Sequence, residues 1–139
     1  MGSDSSAPLE QKAIKAASLH RMPHDQLFLL RADFADPALG PGAYHCTDCA
    51  RIEGLLSYFP KLRTQLDVTY VDFLRPRAAL VELLGQAYQN CPVLVALNAR
   101  PDHAALLRES ADTGQRYCTG ADEITAYLHA VYGVSAAHP

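Results

Sequence analysis

Three short apolar runs, QLFLLRA at residues 26–32, DVTYVDF at 67–73 and CPVLVAL at 91–97, are separated by segments whose apolar residues recur at helical spacing. No other feature constrains the fold as much. The continuous run LFLL reads as a strand covered on both faces, DVTYVDF reads as a strand from its alternation and its branched and aromatic residues, and strands joined through helices pair in parallel. Between the first two runs, Ile52, Leu55, Leu56 and Phe59 form a helical stripe that Pro60 closes. Between the second and third, Leu80, Val81, Leu84 and Tyr88 form another, with Pro76 where a first helical turn accepts it. QRYC at 115–118 reads as a fourth strand that follows the third without a helix, so that pairing is antiparallel. A last stripe, Ile124, Tyr127, Leu128 and Val131, is opened by a capping box over 119–122 and ended by Gly133. The expectation is an α/β fold of three layers, a mixed four-stranded sheet with flanking helices in the order β-α-β-α-β-β-α.

A chain of 139 residues supports one core and not comfortably two. Ahead of Met22 the segment MGSDSSAPLEQKAIKAASLHR has no apolar core of signal-peptide length. It reads as an N-terminal extension over 1–21, either a short helix at 9–19 or vector-derived sequence before a natural start at Met22, followed by one domain over 22–139. The cytoplasm is then the expected location, where four cysteines, at 46, 49, 91 and 118, do not form a permanent disulfide framework. No apolar run approaches the roughly 20 residues that cross a bilayer. Twelve basic against fifteen acidic side chains leave a formal charge of -3, which offers no attraction to nucleic acid or anionic membranes.

Chemistry concentrates in HCTDC at 45–49, where a loop rich in glycine and proline runs into the first helix. Cysteines three apart share a helix face, so the sulfurs of Cys46 and Cys49 can meet. Unpaired amides at a helix start favour thiolate over thiol, which makes Cys46 the nucleophile and Cys49 the thiol that attacks the resulting mixed disulfide. The Asp48 carboxylate between them is expected to repel the thiolate and to make the pair a reductant or a weak oxidant. His45 is a candidate auxiliary for proton transfer. Two other readings stay open on the residues alone. One is a binding module with packed, inactive cysteines that recruits a protein partner or a second copy of itself through residues 98–114. The other is a metal site in which Cys46 and Cys49 are joined by Cys91, Cys118 or His45, although one C-x-x-C supplies only half of a zinc set. Arg75 and Arg77 flank the second helix start, where they give either positive potential for an anionic ligand or plain surface charge.

HCTDCARIEGLL, NCPVLVAL and RYCTGADEITAYLHAVYG, with LFLLRADFADP and FLRPR, are the stretches through which the chain resembles a known superfamily. It is similar to thioredoxin-like domains of the glutaredoxin and glutathione-transferase N-terminal type. Over 22–133 it is most similar to a small bacterial family of thioredoxin-like proteins of unknown function. The resemblance implies a thioredoxin-like fold and a thiol-disulfide oxidoreductase with Cys46 and Cys49 as its catalytic pair and no resident metal. It implies that Pro92 is cis and brings Cys91 beside Cys46, with the backbone of both available to an extended substrate. Gly120 and Asp122 are implied contacts for a glutathione carboxylate at the last helix start, where Ala121 replaces a side-chain donor. A protein disulfide or glutathione is the implied partner, glutathione serving as co-substrate and no other cofactor being required.

Overall fold

A computed structural model describes residues 23–139, so the expected helix at 9–19 and the boundary at Met22 lie outside the described residues. In chain order the elements are β1 (Asp25–Leu30), β2 (Phe34–Asp36), β3 (Gly40–Tyr44), α1 (Thr47–Tyr58), α2 (Leu62–Gln65), β4 (Leu66–Val71), α3 (Ala78–Leu84) and β5 (Val93–Val95). A 3-10 helix (Pro101–Leu106), β6 (Arg108–Glu109), β7 (Arg116–Thr119) and α4 (Ala121–Tyr132) complete the domain. The main sheet runs β4-β1-β5-β7-β6, with β1 parallel to β4 and every other pairing antiparallel, so the third run, although joined to the second through a helix, does not lie parallel to the first two as expected.

The apolar runs form the middle of this sheet because successive side chains of a strand point to opposite faces, and here both faces are covered. Leu27 and Leu29 of β1, Leu94 of β5 and Cys118 of β7 pack under α1 and α4, against Ile52, Leu56, Ile124, Tyr127 and Leu128. Phe28, Val93 and Val95 point the other way, onto Leu80 and Leu84 of α3. The three layers are therefore two helices, a sheet and one helix. Among the described residues no helix is long and apolar enough to cross a membrane.

The expected four-stranded sheet has five strands, and a separate two-stranded sheet of β2 and β3 stands beside it. Gly40, Pro41 and Gly42 hide β3 from a reading based on strand preference, since neither residue type favours strands. Aromatic packing holds that hairpin instead: Phe34 pairs across it with Tyr44 and stacks on Phe73, ring centroids 4.4 Å apart. β6 arises in the 98–114 segment, which is fastened to the end of α3 by the Ser110 hydroxyl on the Leu84 carbonyl and the Thr113 hydroxyl on the Leu83 carbonyl. Pro76 does not enter the first turn of the second helix. The Arg75–Pro76 bond is cis, and α3 begins two residues later at Ala78. The capping box at 119–122 is not formed either, because Thr119 ends a strand. Its hydroxyl donates to the Pro92 carbonyl at 3.0 Å, and its amide donates to Glu123, not Asp122, at 3.1 Å. Gly133 does end the last helix, in the left-handed conformation expected there.

Asp25 anchors the end of the sheet away from the cysteines. Its fully buried carboxylate accepts from the Tyr127 hydroxyl at 2.7 Å, the Tyr132 hydroxyl at 2.8 Å and the Asn98 amide at 2.8 Å. One side chain thereby ties β1 to both turns at the end of α4 and to the segment after β5. Asp25→Ala leaves three donors without an acceptor and is expected to destabilise the protein by about 3 kcal/mol in urea unfolding, whereas Tyr132→Phe costs about 1 kcal/mol.

Candidate functional site

Cys46 is the N-cap of α1. With extended backbone angles it stands one residue outside the helix, and its sulfur accepts from the Cys49 amide at 3.2 Å, a role that hydroxyl and carboxylate side chains usually take. The sequence dictates this locally: the strand β3 stops at Tyr44, exposed His45 follows, and the apolar stripe from Cys49 to Leu56 pulls the next turns onto the sheet. Cys49 lies one turn further in, 5% exposed, where its sulfur accepts from the Leu30 amide at 3.4 Å at the end of β1. The cysteine pair thus straddles the boundary between solvent and core.

Opposite Cys46 is the segment that leads into β5. The Cys91–Pro92 bond is cis, and the Cys46 sulfur stands 3.9 Å from the Cys91 carbonyl oxygen. Three of the four cysteines therefore meet at one end of the sheet. Cys118 does not join them; it is fully buried in β7, under α4. Burial pushes the Cys49 thiol up to about 12, against a smaller opposing pull from the Leu30 amide. Burial also pushes the Cys91 thiol up to about 11, opposed by the positive charge of Arg77. Cys118 reaches about 12, again through burial.

Arg77 is not a surface charge. It is 7% exposed, its guanidinium donates to the Phe73 and Gln89 carbonyls, and it lies 5.6 Å from the Phe73 ring centroid. Among the described residues it has no carboxylate partner, and its positive charge acts on the Cys91 thiol. Nothing in FLRPR signals this, because the burial comes from the loop closing over Gln89, whose side-chain oxygen accepts from the Arg77 amide at 2.6 Å. Arg75 stays exposed and pairs with Asn90. Between the β2–β3 hairpin and the loop after β4 an open cavity of about 760 Å³ is lined by Arg31, Phe34, Tyr70, Phe73, Arg75 and Arg77 among others, adjoining the thiol site through Arg77.

The start of α4 is occupied from within the chain. Asp48, expected to face the thiolate, instead accepts from the Ala121 amide at 3.0 Å and so caps a helix whose own N-cap, Gly120, has no side chain to offer. Gly120 has φ +84°, a backbone conformation that other residues adopt only with strain. Asp122 is exposed and pairs with Arg51 at 3.0 Å. The residues expected to take a glutathione carboxylate are thus engaged by the C-x-x-C helix itself, Gly120 beside Asp48 and Asp122 beside Arg51.

A family model described as a protein of unknown function, DUF3088, matches residues 24–136. The chain belongs to the DUF3088 family. No curated protein and no solved structure matches it. In this DUF3088 chain no group of three or more His, Cys, Asp or Glu side chains among the described residues is arranged to hold a metal ion.

The raised thiols carry a pH dependence with a definite sign. A buried cysteine that keeps its proton above the ordinary value of 9.0 stabilises the fold fully below that value. As pH rises past it, the unfolded chain loses protons that the folded chain retains, and stability falls until the folded values are reached. Thermal unfolding of the reduced protein should therefore show a melting temperature that declines from pH 9 upward, and Cys118→Ala should make that decline shallower. Separately, Asp48→Ala removes the cap of α4 and is expected to cost about 1 kcal/mol in urea unfolding.

Proposed function

We propose that the protein is a thiol-disulfide oxidoreductase on a thioredoxin-like fold, working in a reducing compartment such as the cytoplasm. Cys46 is the nucleophile and Cys49 the thiol that completes the exchange. One observation carries this reading: Cys46 is half-exposed at a helix start, where its sulfur accepts a backbone hydrogen bond. An anionic sulfur strengthens such a bond, and exposure lets it reach a substrate. The sheet order, with β1 parallel to β4 and antiparallel to β5, and α1 and α4 on one face with α3 on the other, supports the thioredoxin-like assignment. The hairpin β2–β3 and the edge strand β6 are then additions to that plan.

Cys46 attacks a substrate disulfide and forms a mixed disulfide while one substrate thiolate leaves. Cys49 then gives up its proton and attacks Cys46, so the second substrate thiolate leaves and an internal disulfide remains. Because Asp48 already holds the Ala121 amide at the start of α4, an extended protein disulfide laid along Cys91 and Pro92 is favoured over glutathione as the substrate. A second reading, a binding module with silent cysteines, is favoured by one observation, the deep burial of Cys49.

Reduction of insulin with a dithiol as electron source separates the two. Wild type should turn over, Cys46→Ser should lose all activity, and Cys49→Ser combined with Cys91→Ser should form a stable mixed disulfide at Cys46 without turnover. An inert Cys46 in the folded wild type would overturn the oxidoreductase reading in favour of the binding module.

A further inference from the structure

Two further cysteines flank the Cys46 sulfur, and one of them, Cys91, lies outside the C-x-x-C pair. We infer that Cys91 is a second closing thiol, so that the oxidised protein exchanges between a Cys46–Cys49 and a Cys46–Cys91 disulfide. This rests on Cys46 being the nucleophile.

The geometry has three parts. The Cys46 sulfur lies 3.9 Å from the Cys91 carbonyl, so the two residues face each other across the gap between α1 and the segment before β5. Cys91 is only half-buried and sits where both core clusters end, so its side chain is not sealed into either. The guanidinium beside it, Arg77, is buried, tied to backbone carbonyls and without a carboxylate among the described residues. Its positive charge favours a Cys91 thiolate, opposing the burial that holds the thiol protonated. A cysteine that served only to fill space would gain nothing from that placement.

The exchange balances without a further reactant. After Cys46 has attacked a disulfide R–S–S–R and released one R–S⁻, the Cys91 thiol loses its proton to solvent. Its sulfur then forms a bond to the Cys46 sulfur while the Cys46–S–R bond breaks. The second R–S⁻ leaves with the electron pair, so two protein thiols are oxidised and one external disulfide is reduced. The Cys46–Cys49 and Cys46–Cys91 forms interconvert when the free thiolate attacks Cys46 and expels the other.

The test uses the full chain with both other cysteines replaced, Cys49→Ser with Cys118→Ser, and limiting dithiobis-nitrobenzoate as the disulfide. Attack by Cys46 releases one thionitrobenzoate. Closure by Cys91 releases a second, doubling the yield per reagent, and adding Cys91→Ser should return it to one. A single release, or a second release accompanied by disulfide-linked dimers, would overturn the role of Cys91 while leaving Cys46 as nucleophile. No first release would instead overturn the reading on which it rests. Should the double replacement not fold, wild type oxidised by the same reagent and quenched in acid decides by peptide mapping: a Cys46–Cys91 linkage is expected, and Cys46–Cys49 alone would refute it.

Discussion

Burial of β1 and β5 on both faces is the constraint from which the rest follows. The apolar residues of two adjacent strands, Leu27 to Leu30 of β1 and Val93 to Val95 of β5, demand cover above and below, which α1 and α4 supply on one face and α3 on the other. The chain leaving β1 must then cross back over the sheet, and α1 does so with its first turn over the end of that strand. Leu30, the last residue of β1, donates its amide to the Cys49 sulfur, so the same strand that organises the core also fixes the buried half of the cysteine pair.

The site is consequently a meeting of three chain ends rather than a cleft. The end of β1, the start of α1 and the segment before β5 converge; β1 brings the Leu30 amide, α1 the thiols of Cys46 and Cys49, and the segment before β5 that of Cys91. Cys46 faces amides and solvent, while Cys49 and Cys91 face the interior, where desolvation keeps them protonated. One sulfur is thus accessible and two are withheld, an arrangement that suits the stepwise exchange proposed for the protein. Arg77, drawn inward by the carbonyls of Phe73 and Gln89, opposes that desolvation in part on the Cys91 side.

Asp48 changes what the neighbouring helix can do. Positioned between the two cysteines, it would have been expected to act on them electrostatically, yet its hydrogen bond runs to the Ala121 amide of α4. The intervening residues of the motif therefore serve as a clamp between two helices on the same face of the sheet. A ligand carboxylate competing for that amide would first have to displace Asp48.

The amino-acid sequence by itself determined the alternation of strands and helices, the ends of α1 and α4, and the position of the cysteine pair where a loop becomes a helix. These are set by local periodicity and by residues such as Pro60 and Gly133, whose backbone restrictions act within a turn or two. Tertiary structure alone decided the fifth strand, the β2–β3 hairpin, the inward turn of Arg77 and the partner of Asp48. Each depends on a contact between residues far apart in the chain, Phe34 on Phe73, Arg77 on Gln89 and Asp48 on Ala121, and no local preference records where such a partner will be brought.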